Sequence, residues 1–323
     1  MTIRTRRYDV LDRTRSEWLL RGPPGRSIAR SLVWMLGSPR TGSTWLLYLL
    51  AVHPRIVPID EPGIGYHLGM FAADAMGAHP WAFEDARLLL PHARSDDRQY
   101  FFSRHYENVW RPRLRGLILA RMQAQLRTVA REKQTAHPIG VIKEPAGSQV
   151  ADFLFTVLPE SRLLFLVRDG RDVLDSALDA VRHGSWLADQ FGATADLSPE
   201  ERLGFLRAQA HRWVARTGSV QRAYERLPDR QRFLVRYEDL RVDTKKGLRE
   251  ILAWLGLDYD EALFGERVAK LSFEAVPEAE RGTGKFTRAA SPGMWRQNLT
   301  ATEQTAIAEI MGDALAALGY SRD

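Results

Sequence analysis

Arg40, Ser43 and Thr44 lie in the stretch Gly37-Ser38-Pro39-Arg40-Thr41-Gly42-Ser43-Thr44, which breaks the apolar run Leu32 to Leu36 and precedes apolar residues at helical spacing. A strand feeding a glycine-bearing turn and then a helix makes an anion site. The turn amides point at a phosphate seated on the helix N-terminus. A second pair of this kind follows the apolar run before Arg168: the arginine ends a strand, and Ser176 comes eight residues later on the next helix. That pair suits a phosphate separate from the first. Taken alone it also admits a plainer arrangement, in which Arg168 pairs with Asp169 or Asp172 and Ser176 only packs.

The first loop departs from the nucleoside triphosphatase pattern G-x-x-x-x-G-K-[ST], because Ser43 stands where the lysine would be. No Walker-type aspartate follows an apolar strand to hold magnesium, which disfavours a nucleoside triphosphate as the ligand. For proton transfer the candidates are carboxylates. Glu61, in Asp60-Glu61-Pro62 after the segment RIVPID, is the first; Glu144, in Lys143-Glu144-Pro145, is its rival. His53 reads as a helix-terminating residue, and His67, His183 and His211 either line an acceptor pocket or cover core edges.

These residues need strand ends to stand on. Strands are expected at 32 to 36, across RIVPIDEP, and at 139 to 143, 162 to 167 and 233 to 236, with a helix from Ser43 to Val52. Such alternation implies an α/β fold with a parallel sheet and helices on both faces, ligands binding beyond the strands' carboxyl ends. Residues 64 to 135 read as mostly helical and rich in aromatics. No repeat or linker divides the chain.

With 323 residues and no cysteine, the chain is long enough for a large core and excludes a disulfide framework, thiolate metal sites and cysteine nucleophiles. The net charge of +6 is concentrated at the start, where residues 1 to 30 carry eight arginines against Asp9, Asp12 and Glu17. That is a basic arm ahead of a nearly balanced remainder. No apolar run reaches membrane-spanning length and no secretory signal is visible, so a cytoplasmic protein with no membrane span and no nucleic-acid partner is expected.

Taken together, the glycine-bearing loop with Ser43, Thr44 and Trp45 and the later VRDGRDVLDS resemble the sulfotransferases that use 3′-phosphoadenosine 5′-phosphosulfate. The resemblance extends over RYEDL (236 to 240), KLSFEAV (270 to 276) and FTRAASPGMWRQNLTATE (286 to 303), where the usual Arg-Lys-Gly is reduced to Arg288-Ala289-Ala290. It implies a three-layer, P-loop-like fold with a helical acceptor-binding insertion at 64 to 135 and a cofactor-covering loop at 270 to 300, in one domain spanning 31 to 323. It also implies site roles: Arg40, Thr41, Gly42, Ser43 and Thr44 around the 5′-phosphosulfate, and Arg168 and Ser176, with Arg288, on the 3′-phosphate. Trp45 and Phe273 would stack on adenine, Tyr237 would meet its edge, and Ser272 belongs to the same cofactor segment.

Within that family the cytosolic enzymes place a histidine base two residues after a lysine; here that position is Pro145, which cannot serve. The tyrosylprotein sulfotransferase-like branch matches better. Its Pro-Arg-Ser-Gly-Thr-Thr, His-Pro and acidic pair correspond to Pro39 to Thr44, His53-Pro54 and Asp60-Glu61, and 21 residues separate Arg40 from Glu61. The implied machinery is Glu61 as base, with Arg40 and Lys143 stabilising the sulfuryl group and its leaving phosphate, and no metal. A small-molecule hydroxyl is the expected acceptor, a tyrosyl or carbohydrate hydroxyl the alternative. Two readings of other classes stay open, a P-loop nucleotide kinase and a polyanion binder working through the basic arm.

Overall fold

β1 (Leu32–Leu36) is buried at every residue, as a strand covered on both faces must be. The structure, a computed structural model, describes residues 22–64, 97–99, 101, 103–191, 196–285, 288 and 291–322. The basic arm up to residue 21, residues 65–96, 100 and 102 of the aromatic-rich segment, His67 among them, and residues 286–287, 289 and 290 of the closing loop lie outside the described residues.

β1 is joined by β2 (Ile56–Asp60), β3 (Ile139–Lys143), β4 (Arg162–Val167) and β5 (Arg232–Arg236) in one sheet of order β2-β3-β1-β4-β5. Every pairing is parallel. Of the three inner strands, β1 is apolar throughout, while β3 and β4 carry a charge only at one end, Lys143 and Arg162. Edge strand β2 tolerates Pro58, which has no amide to donate, and the other edge strand, β5, begins and ends on arginine.

Alternation along β1 divides the core in two. Leu32, Trp34 and Leu36 face one cluster, packed with Leu119, Leu154, Phe205 and Ile307. Val33 and Met35 face the other, with Leu46, Leu47, Ile251 and Leu252. Each fully buried aliphatic side chain contributes about 1.5–3 kcal/mol, so both layers are firmly held.

The helices in chain order are α1 (Pro23–Arg30), α2 (Ser43–Leu50), α3 (Glu107–Glu132), α4 (Ala151–Val157), α5 (Gly170–Val181), α6 (Trp186–Phe191) and α7 (Pro199–Arg226). After β5 come α8 (Tyr237–Val242), α9 (Thr244–Leu255), α10 (Glu261–Lys270), the short α11 (Trp295–Asn298) and α12 (Ala301–Ala317). α7 and α12 both open with capping boxes, Ser198 with Glu201 and Thr300 with Glu303. The strands fall where the apolar runs place them, and α2 stops at Leu50, two residues before the expected Val52. Within the expected helical region, 107–132 is one long helix. Among the described residues no helix is long and apolar enough to cross a membrane.

The chain leaves β1 for β2 on one side of the sheet and reaches β4 on the other. β1 therefore sits at the switch in strand order, where a crevice opens at the carboxyl ends.

Candidate active site

Gly37 and Gly42 shape the loop after β1. A Cβ on Gly37 would fall 2.1 Å from the Leu166 carbonyl oxygen, so the loop can lie against β4 only without one. Gly42 has φ +82° and caps α2 without any side-chain hydrogen bond, while a Cβ there would meet the Tyr237 ring at 2.6 Å. The amides that open α2 are thus left for an anion. Thr41 is buried and its hydroxyl donates to Ser38 O at 2.9 Å, so its side chain serves the loop itself.

A cavity of about 410 Å³ opens over this loop. The structure brings Arg40, Gly42, Ser43, Thr44, Trp45 and Glu61 to its wall, and Arg168, Ser176, Tyr237, Phe273 and Arg288 face it from the later loops. Ser272 does not line it; its hydroxyl caps a short 3-10 turn by accepting from Ala275 N at 3.3 Å. His53, His183 and His211 do not line it either.

Three guanidinium groups converge there. Arg40, itself at φ +70°, donates from Nε to Ser176 Oγ at 3.1 Å and lies over the Trp186 ring at 5.4 Å. Arg168 donates to the Arg40 carbonyl at 3.0 Å and lies over the Tyr237 ring at 4.5 Å, and its Nε is buried without a hydrogen-bond partner. Arg288 pairs with Asp175 of α5 through both nitrogens. Burial, then the charges of Arg168 and Arg288, push the Arg40 pKa down to about 10. A buried cluster of three guanidinium groups suits a multiply charged anion. Burial opposes the charge of Arg288 as well, but the Asp175 pair outweighs it and raises that pKa.

Lys143 does not line the cavity; buried at the tip of β3 behind Thr44 and Glu61, which do, it makes three bonds. Its ammonium lies 2.7 Å from Asp60 Oδ1, 2.8 Å from Glu61 Oε1 and 2.9 Å from Thr44 Oγ1. Burial pulls its pKa down, and the bonds to the two carboxylates more than reverse that. Glu61 adopts φ +42°, rare for a side chain with a Cβ, and stays half-exposed to the cavity. Glu144, the rival carboxylate, is 2 % exposed and turns away among apolar residues. It cannot meet a substrate hydroxyl from there.

Trp45 faces the later segments across the cavity. Trp45 donates from its indole nitrogen to Leu271 O at 2.8 Å and meets Tyr237 edge-on, with 6.2 Å between centroids. Arg241 lies over Trp45 at 5.7 Å, a residue that sequence reasoning missed. Its signal was there: it follows Tyr237 by one helical turn on α8. Asp172 of α5 was missed too. It accepts from Gly293 N at 2.7 Å and Trp295 N at 3.4 Å, tying the closing segment to the helix that carries Ser176.

Against known proteins, residues 33–261 match the model of the Sulfotransferase family. The chain belongs to that family. As a member it is an enzyme of sulfuryl transfer, as its sequence resemblance implied. No curated protein matches along its sequence. The sulfotransferase STF9 from Mycobacterium avium is 17% identical over 96% of this chain and 83% of its own, with a TM-score of 0.50, and shares the fold. The mouse sulfotransferase SULT7A1, crystallised with PAP, is 12% identical over 88% of this chain and 84% of its own at 0.49. The sulfotransferase domain of the Synechococcus PCC 7002 olefin synthase is 19% identical over 88% and 94% at 0.44.

Proposed function

We propose that this sulfotransferase moves the sulfuryl group of 3′-phosphoadenosine 5′-phosphosulfate to a hydroxyl of a small-molecule acceptor, by in-line displacement with Glu61 as general base. The residues present fit such a donor: the uncapped start of α2 suits one anion, and the buried, unpartnered Arg168 Nε beside Arg40 suits a second. When bound, the donor supplies the sulfuryl group and a phosphate as its leaving group.

Glu61 takes the proton of the acceptor hydroxyl as that oxygen bonds to sulfur and the bridging S–O bond breaks. Arg40 and Lys143 face the charge that moves onto the leaving phosphate, already in place before it develops. Lys143 also holds Glu61 at a fixed distance from Thr44, which is alignment rather than proton transfer. Trp45, Phe273 and Tyr237 enclose the adenine, while Arg168, Ser176 and Arg288 meet the 3′-phosphate.

The observation that carries this reading is the Lys143 ammonium, bonded at once to the hydroxyl of the anion loop and to the half-exposed carboxylate. The test is incubation with labelled donor and a panel of phenols, alcohols, sugars and tyrosyl peptides, read by mass spectrometry as gain of one SO₃. Transfer to a small hydroxyl is expected. Transfer confined to peptides or sugars would move the acceptor class, and failure to bind adenosine 3′,5′-bisphosphate would remove the donor.

A further inference from the structure

The dipeptide Lys143-Glu144 grips the turn after β2 at two points. Lys143 takes the side chains of Asp60 and Glu61, and its carbonyl accepts Glu61 N–H at 2.9 Å. Glu144 takes the backbone just beyond: its Oε2 accepts from Gly63 N at 2.9 Å and Ile64 N at 3.3 Å. Between these two grips lie Glu61 and Gly63, both in the left-handed region at φ +42° and +71°. A non-glycine residue stays there only where its surroundings fix it.

The setting of Glu144 is poor for stability alone. Its carboxylate lies in a small cavity with Trp34, Ile64, Ile118 and Leu154, and its Oε1 is buried with no hydrogen-bond partner. A leucine would fill such a place at lower cost. The backbone nonetheless makes room for the acid, since a Cβ on Gly147 would come within 2.6 Å of Glu144 Cγ. Burial pushes its pKa up to about 7, opposed by the Ile64 and Gly63 amides.

We propose that Glu144 is a positioning residue for sulfuryl transfer, holding through the Gly63 and Ile64 amides the left-handed turn that aims Glu61 into the cavity. This rests on Glu61 being the base. Glu144 does not touch the substrate; it acts through Glu61.

The test uses the full chain, with transfer to 2-naphthol, or donor hydrolysis where naphthol is not taken, and hydrogen exchange of the peptide covering 56–64 without any ligand. Glu144→Gln keeps an oxygen for the two amides and should hold kcat within about threefold. Glu144→Met keeps the length but accepts nothing: kcat should fall about 100-fold and the 61–64 amides should exchange faster. The affinity for adenosine 3′,5′-bisphosphate should be unchanged, which also reports a folded protein. If Glu144→Met does not fold, Gly147→Ala displaces the same carboxylate and should give the same exchange and kcat loss. Unchanged exchange in the displaced variant, or a Gln variant as inactive as the Met one, overturns the proposal. Glu61→Gln is run beside them: full turnover there fails the base assignment, whereas loss there with an active Glu144→Met fails only the positioning role.

Discussion

Lys143 Nζ and Glu61 Oε1 stand 2.8 Å apart, and the same nitrogen is 2.9 Å from Thr44 Oγ1. One ammonium thereby joins the end of β3, the turn after β2 and the first residues of α2. Two strand ends and a helix start that lie apart in the chain become one site through a single cation.

Replacing Glu61 tests the base directly. Glu61→Gln leaves Lys143 its bond to Asp60 at 2.7 Å, so the turn keeps an anchor. Turnover should fall by about 10²- to 10⁴-fold, the usual worth of a positioned base, while titration with adenosine 3′,5′-bisphosphate gives an unaltered affinity.

Lys143→Met removes the junction itself. Asp60 and Glu61 are both half-exposed, so water takes over part of their solvation and the stability loss is modest. The folded pKa of Lys143 lies above its ordinary value. The pairing therefore stabilises fully below the unfolded lysine pKa of about 10.4 and is lost as pH rises through the higher folded one. Melting curves of parent and variant should converge in strong alkali. A gap that widens there would contradict the assignment.

Arg168→Ala probes the second anion. A charge-assisted hydrogen bond is worth about 1.5–3 kcal/mol, so the affinity for adenosine 3′,5′-bisphosphate should drop about 10- to 100-fold. Adenosine 5′-monophosphate, lacking the 3′-phosphate, should be affected far less. Equal losses for both, read by calorimetry, would place Arg168 elsewhere on the nucleotide.

The sheet was legible because inner strands buried on both faces must be apolar throughout, as Leu32 to Leu36 and Leu163 to Val167 are. Loop residues at the strand ends could then be assigned to one crevice without further information. Side-chain direction was not legible. Adjacent residues Lys143 and Glu144 carry the same promise in sequence and both are buried, yet one bonds to Thr44 and Glu61 of the cavity wall and the other turns toward the Gly63 and Ile64 amides. Ser272 and Thr41 turn their hydroxyls to their own loops for the same reason, since nearby backbone groups compete for short polar side chains. Trp186, against Arg40, is brought in by tertiary packing between α6 and the first loop, which no local pattern reports.

Gly42 joins the anion loop to the adenine slot. Gly42→Ala would force a residue with a Cβ into φ +82°, at about 1–2 kcal/mol, and would drive that Cβ against the Tyr237 ring 2.6 Å away. Tyr237 also carries Arg168 on its face. The variant should therefore melt lower and lose nucleotide affinity together, both measurable in one thermal-shift titration; lower stability with intact affinity would uncouple the two sites.

Glu144 gives the protein a pH signature of its own. Its folded pKa of about 7 lies above the ordinary glutamate value, chiefly through burial, with the Glu61 charge adding and Lys143 opposing. Between about pH 4.5 and 7 the folded state therefore holds a proton that the unfolded chain has released, and stability falls as pH rises across that window. The loss is at most about 3.5 kcal/mol, from a rise of roughly two and a half in pKa at about 1.4 kcal/mol each. Glu144→Gln cannot titrate, so its stability relative to the parent should grow from pH 4.5 to 7.5. Comparing the two proteins by urea unfolding at both pH values cancels the carboxylates they share, apart from Glu61, which faces Glu144. A parent that instead gains on the variant as pH rises would mean that the carboxylate is favoured in its charged form, and that the Gly63 and Ile64 amides outweigh the cost of burying it.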